Sequence, residues 1–243
     1  MKIQSYFIIL NEIFRQTFLT KSDYDFICTF TSSTHKNFKT IKKDLYEDTD
    51  FISSIEKKYY QIRGKKLSLL KYEEWNRLLY YLIRLMKPEI IVETGVFDGI
   101  TTSFLLKALK ENNTGHLYSI DLPAYETIKG STHKMRFTTL PRACDVGWVI
   151  PPELKDRWTL YKGSSSDHLK PLLDKLGHTD FFLHDSLHTY ENMLYEYETA
   201  WPYINEGGIL ASDDILWNSA FYEFAGKVKR DYLSKYHFGI LKK

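Results

Sequence analysis

Cysteine is scarce: the 243 residues hold only Cys28 and Cys144, with no CxxC and no neighbouring histidine pair. Such a chain has neither a disulfide framework nor a zinc finger, and its thiols suit a reducing, cytoplasmic setting. Glycine (12) and proline (7) are also few, which excludes collagen-like and low-complexity sequence. Charge of one sign is missing, since 33 basic residues face 31 acidic ones for a net of +2. That balance gives no field to draw the chain to nucleic acid. Long hydrophobic runs are absent as well: the run Ser5 to Leu10 stops at Asn11 and Glu12, too short for a signal core or a membrane span. What is present is aromatic, with 18 Tyr and 15 Phe in an apolar share of 43%. That share excludes a disordered chain, and the length suffices to bury about 70–75% of the unfolded surface.

From about residue 70 the chain alternates short apolar runs with helical periodicity. A helix over 71–86 carries Trp75, Leu78, Leu79, Leu82, Ile83 and Met86 at three- and four-residue spacing and stops at Pro88. Strands are expected at 89–93, 116–121, 158–161, 180–185 and 209–213, with a last one around 238–241. Helices are expected from 101, over 167–176, 190–203 and 220–229, with a turn at 205–208. This order predicts an α/β fold, a doubly wound, Rossmann-like, mostly parallel sheet over 67–243. Residues 1–66 hold amphipathic stretches near 6–18 and 51–60 and no recognisable chemistry. They read as a helical cap or as an arm through which a homo-oligomer forms. A basic cluster near their end (Lys57, Lys58, Arg63, Lys65, Lys66) reads as a solvated helix end or as a greeting for an anionic acceptor. Residues 122–157 have weak periodicity and read as a partly ordered lid or a mobile insertion.

Glu93-Thr-Gly95-Val-Phe-Asp-Gly99 joins the first strand to a helix opening near Thr101, where open α/β sheets bind nucleotides. Phe97 stands where the dinucleotide fingerprint needs glycine, and no Gly-Lys-Ser/Thr follows, so neither that fingerprint nor a Walker loop is present. An acid at the strand end suits a positive ligand group, and a helix N-terminus suits a carboxylate. S-adenosylmethionine carries both in its amino-acid moiety. Asp121, ending the second strand, is placed to accept bonds from ribose hydroxyls. On these residues the chain from about Lys71 onward resembles the class I S-adenosylmethionine-dependent methyltransferases. It is most similar to the small-molecule O-methyltransferase branch of macrocin-type sugar enzymes, and more distantly to the catechol type. The family usually has an acid after the third strand, near the adenine. Here Gly163-Ser-Ser-Ser166 stands there, so the resemblance moves that contact to Ser164, Ser165 or backbone.

His184-Asp185-Ser-Leu-His188 ends the fourth strand and Ser212-Asp213-Asp214 the fifth. Parallel neighbours end on the same side, so Asp185, Asp213 and Asp214 should converge beside the glycine loop, with Asp185 also bordering the cofactor. Three such carboxylates repel, and an oxygen-liking cation such as Mg²⁺ resolves this. In the similar sugar and catechol enzymes acids at these positions hold a divalent metal that binds the acceptor hydroxyl. His188 is then placed as general base, a role the resemblance also implies; orienting Asp185, ligating the metal or simply capping the next helix are its other readings. HDSLH has the spacing of a zinc-protease helix, but Asp180-Phe-Phe-Leu runs into it as a strand and points His184 and Asp185 to opposite faces. Trp148, His133, Arg142, Trp217 and Asn218 are placed near the acceptor or in packing. The expected activity is divalent-metal-dependent transfer of a methyl group to a hydroxyl of a small molecule, a sugar among the candidates, with no nucleic-acid or membrane partner. The rivals are a nucleic-acid or N-directed methyltransferase, which lacks its Pro-Pro-Tyr signature here, a non-catalytic adenosyl-binding protein, and an oxygenase-associated fold-mate.

Overall fold

The computed structural model describes residues 8–13, 22–31, 33–123, 140–141 and 144–243. Residues 8–13 are helical, and three helices follow: α1 (Asp23–Phe30), α2 (His35–Glu47) and α3 (Thr49–Arg63), each opened by an N-cap side chain, Ser22, Thr34 and Asp48 in turn. Helix α4 (Trp75–Met86) follows and ends on Lys87 in a left-handed conformation, before Pro88. The alternating part runs β1 (Ile90–Thr94), α5 (Ile100–Asn112), β2 (His116–Asp121), β3 (Trp158–Lys162), α6 (Ser165–Leu176), β4 (Thr179–His184), α7 (Tyr190–Ala200), β5 (Ile204–Ser212), α8 (Ala220–Val228), β6 (Tyr232–Lys235) and β7 (Phe238–Lys242).

The seven strands lie in the order β3-β2-β1-β4-β5-β7-β6. The first five are parallel, and β7 and β6 join antiparallel at one end. This is the expected α/β sheet with helices on both faces. Buried Val92 and Phe182 face one apolar cluster and Ile91 and Phe181 the other, as period-two alternation requires. No helix among the described residues is long and apolar enough to cross a membrane.

The N-terminal helices share their core with the sheet domain. Phe38, Ile41, Leu45, Phe51 and Ile55 belong to the same buried cluster as Leu78, Leu82 and Phe104. Phe38 meets Tyr81 edge-on at 5.0 Å, and Phe51 meets Phe104 at 5.7 Å. Each such side chain withdrawn from water contributes about 1.5–3 kcal/mol, so the segment is held down by its own apolar face.

Several elements differ from the expected ones. Helix α4 starts at Trp75, four residues later than expected, because Leu69–Lys71 form a separate 3-10 turn. Residues 205–208, expected as a turn, lie within β5. The C-terminus holds them in the sheet, Gly207 donating to the Lys243 carbonyl at 3.0 Å and Lys243 to that of Gly208 at 3.0 Å. Strand β6 was not expected, since the turn joining it to β7 uses Tyr236 and His237 at positive φ, where hairpin turns ordinarily carry Asn or Gly.

Candidate active site at the carboxyl edge of the sheet

The parallel register lines up the functional positions. Thr94 pairs with Ile120 on one side and His184 on the other, and His184 pairs with Ser212. Asp121, Gly95, Asp185 and Asp213, at the strand ends or one residue beyond them, therefore form a row. Backbone bonds continue past the strands: Gly95 N–H to the Ile120 carbonyl at 2.9 Å, Asp185 to Thr94 at 2.8 Å, Asp213 to His184 at 2.9 Å. The row lies where the strand order reverses between β1 and β4, the crevice in which such sheets bind ligands.

Gly95 has φ +87°, and a β-carbon there would lie 1.9 Å from the Asp185 carbonyl oxygen. Only glycine lets the loop pass the end of β4. Gly99 is covered from the other side: a β-carbon would lie 2.7 Å from Ile150 Cγ1 and 2.8 Å from Gly147 Cα. Gly147 donates to the Phe97 carbonyl at 2.9 Å and Val149 to that of Asp98 at 3.0 Å, while Trp148 Nε1 donates to Asp98 Oδ1 at 2.5 Å. The end of the expected lid is thus a packed wall of the glycine loop, and Trp148 is one of its buried members rather than an acceptor contact. Residues 124–139 and 142–143, with His133 and Arg142, lie outside the described residues.

The expected cofactor acids are placed unequally. Glu93 is fully buried and accepts from Thr102 Oγ1 at 3.0 Å and Ser119 Oγ at 2.6 Å. Its carboxyl, expected to meet a positive ligand group, is spent inside the fold, and burial pushes its pKa up to about 8. Asp121 accepts through Oδ2 from the amides of Val96 at 2.7 Å and Phe97 at 2.8 Å, which leaves Oδ1 for a further donor. Thr101 is buried in the first turn of α5, whose N-terminus has no side-chain cap. Ser164 caps α6, its Oγ accepting from the Asp167 amide at 3.2 Å, and Ser165 Oγ reaches Asn192 at 3.4 Å. Gly163, which precedes both serines, donates its amide to the Asp121 carbonyl at 2.9 Å.

Asp185, His188 and Asp213 each bring a ligand atom within 4.8 Å of the others. Burial, and then Asp213, Glu73, Glu93 and Asp214, push the Asp185 carboxyl well above its ordinary range. Burial and then Asp214 and Glu73 do the same to Asp213. Asp185 and Asp213 are close neighbours, and burial together with their like charge disfavours ionising both at once. Asp214 stands at the rim with its Oδ2 3.9 Å from His188 Nδ1, too far for a hydrogen bond. Burial and the neighbouring His184 lower His188 to about 3, and its buried Nε2 has no hydrogen-bond partner among the described residues. Trp217, more than half exposed, lies 5.6 Å from the His188 ring, and Asn218 Nδ2 donates to the His188 carbonyl at 3.2 Å.

Two acids escaped the sequence reading. Glu196 on α7 is fully buried and accepts from Thr94 Oγ1 at 2.5 Å, His184 Nδ1 at 2.6 Å, Ser186 Oγ at 2.7 Å and Asn192 Nδ2 at 3.1 Å. Burial opposes its ionisation, but His184 and these donors prevail and hold it at about 2. Its signal was available: it sits on the apolar face of α7 between Met193 and Ala200. Glu73 gave no signal, since it precedes α4 with no motif. Crowding and the Asp214 charge raise its pKa although solvent still reaches it.

Eight non-glycine residues among those described have positive φ. Lys87, Asn113 and Lys229 end helices, and Tyr236 and His237 form the hairpin turn. The other three, Glu73, Phe97 and Asp214, all border the crevice, each at a cost of about 1–2 kcal/mol. Such a concentration of strain is typical of a functional site.

Residues 92–215 match a family described as methyltransferase domain. No curated protein matches the chain. Among solved structures, the fold is similar to an SAH-bound methyltransferase of Podospora anserina, at 12% identity and TM-score 0.54, covering 78% of this chain and 87% of that one. An O-methyltransferase from Bacillus cereus in complex with SAH gives 14% identity and TM-score 0.52, covering 80% and 99%. The O-methyltransferase TomG from Streptomyces achromogenes, involved in tomaymycin synthesis and bound to SAM, gives 14% and 0.53, covering 81% and 90%. At these identities the likeness is one of fold.

Proposed function

The chain belongs to the methyltransferase domain family, and we propose that it transfers the methyl group of S-adenosylmethionine to a hydroxyl of a small molecule, with a divalent cation such as Mg²⁺ at Asp185, Asp213 and Asp214. The observation that carries this reading is the meeting of Asp185, His188 and Asp213 within 4.8 Å, one strand from the glycine loop. The donor set fits a hard cation: carboxylates raised by burial and by mutual repulsion, beside an imidazole nitrogen with no partner among the described residues. When bound, a divalent cation lowers the pKa of a hydroxyl. S-adenosylmethionine supplies an electrophilic sulfonium methyl.

The remaining work falls to the chain's own side chains. Asp121 orders the Val96 and Phe97 amides and offers its second oxygen to the cofactor ribose, while the uncapped first turn of α5, with Thr101, faces the cofactor carboxylate. His188 takes the proton from the acceptor hydroxyl. Burial and the neighbouring His184 lower its pKa to about 3, which leaves it unprotonated and able to accept at neutral pH. Trp217 gives an exposed flat face beside His188 against which an acceptor ring, a sugar in our reading, can lie.

His188→Asn is expected to lower turnover about 10²-fold or more while leaving S-adenosylmethionine and Mn²⁺ affinities, measured by calorimetry, unchanged. The proximity of His188 to Asp185 and Asp213 favours a second reading, His188 as a metal ligand, and loss of Mn²⁺ affinity in the variant would establish it. A wild-type chain that gives no heat with S-adenosylmethionine would overturn the functional reading.

A further inference from the structure

Arg63 is the last residue of α3, outside the sheet domain, and belongs to the basic cluster that the sequence reads as a solvated helix end or as a greeting for an anionic acceptor. Its guanidinium instead reaches the glycine loop. Nη2 donates to Asp98 Oδ1 at 2.6 Å and Nε to Oδ2 at 3.1 Å, a two-pronged pair, and the group lies 5.1 Å from the centre of the Phe97 ring. The Asp98 side chain is only 5% exposed. One turn earlier on α3, Tyr59 stacks on Trp148 at 6.0 Å and 22°, and Trp148 donates to the same carboxylate.

We propose that Arg63 is a positioning residue for the cofactor: by pinning Asp98 it holds loop residues 96–99 in the shape that receives S-adenosylmethionine, so that the N-terminal helices complete the cofactor site. This rests on the functional reading above. Phe97 is held at φ +51°, a conformation a free loop would leave. Three contacts oppose that relaxation. Asp121 holds the amides of Val96 and Phe97, the 147–149 segment holds the carbonyls of Phe97 and Asp98, and Arg63 holds the Asp98 side chain. The first two come from within the sheet domain and the third does not. Without Arg63, the buried Asp98 carboxylate keeps only the neutral indole of Trp148 as a side-chain donor among the described residues, and a poorly paired buried charge moves toward water. Asp98 lies between Phe97 and Gly99, so it takes the loop with it.

The test compares wild type with Arg63→Gln and Arg63→Lys. Titration with S-adenosylhomocysteine should show a loss of about tenfold to a hundredfold for Gln, the range for a charge-assisted bond. Lys, which keeps the charge but not the fork, should be intermediate. The KM for S-adenosylmethionine should rise in parallel, with kcat at saturation and Mn²⁺ affinity within about twofold of wild type, a split that general destabilisation does not produce. Adding Asp98→Asn to Arg63→Gln should cost little further affinity, because the pair acts as a unit. The amides of Val96, Phe97 and Gly99 should exchange hydrogen faster in Arg63→Gln. Wild-type affinity together with unchanged exchange at 96–99 would overturn the proposal. The exchange measurement needs no ligand, so it judges the Arg63 clamp even if the wild type binds no S-adenosylhomocysteine and the functional reading fails.

Discussion

Glu196 and Asp185 sit back to back at the end of β4, and the residues flanking Asp185, His184 and Ser186, both bond to Glu196. Glu196 has four side-chain donors, one of them an imidazole, and stays ionised down to about pH 2. Asp185 has Asp213, Asp214 and Glu73 for neighbours, and its carboxyl is pushed well above the usual range. Crowding by protein is common to both, so burial alone does not decide ionisation; the supply of donors and positive groups does. The carboxylates that the fold satisfies are structural. Those that it leaves repelling are the ones proposed above to hold a cation.

The largest test of this contrast removes the satisfied acid. Glu196→Ala strands His184, Thr94, Ser186 and Asn192 around a cavity, and urea unfolding at pH 7 is expected to show a loss of about 3–5 kcal/mol. A loss below about 1 kcal/mol would break the contrast.

Glu93 sharpens it, because its two hydroxyl donors bring no positive charge. It stays protonated in the fold up to about pH 8 but ionises near 4.5 when unfolded. The native state therefore holds the extra proton between these values. Stability contributed by Glu93 is full below about pH 4.5 and falls as pH rises through 8. Glu93→Gln should remove this slope and be more stable than wild type by about 3 kcal/mol at pH 7, with no difference at pH 4. Parallel stability–pH curves for the two proteins would contradict the assignment.

The smallest effect should come from the repelling pair. In chelator, Asp213→Asn should melt slightly higher than wild type, equivalent to about 1 kcal/mol, since the amide removes one of two crowded, buried carboxyls. Adding Mn²⁺ should then raise the melting temperature of wild type and not of the variant. A variant that melts lower in chelator would show that the pair stabilises the fold after all.

Much of the architecture was legible because periodicity is local. The apolar stripe on α4, the two-face burial of β1 and the acids at the strand ends follow from spacing of 3.6 and 2 and from the rule that parallel neighbours end together. Gly95 was legible for a related reason, since a loop leaving a strand beside another strand end has no room for a side chain. The direction in which Glu93 and Asp121 turn was not legible. Their partners, Ser119 for one and the Val96 and Phe97 amides for the other, come from neighbouring strands and loops and leave no mark at the acids themselves. Strand β6 and the strand character of 205–208 were hidden likewise, because both depend on pairing with the C-terminal strand β7 and Lys243.

The order of residues settles which side chains arrive at the carboxyl edge: Gly95, Asp121, Asp185, Asp213 and Asp214 stand there because strand length and period place them there. It does not settle what each one meets on arrival. Whether a carboxylate is satisfied, repelled or clamped depends on groups distant along the chain, as Arg63 is from Asp98 and Thr94 from Glu196. Those meetings exist only when the core is packed, and the energy of a buried charge is set by the few groups within hydrogen-bond reach of it.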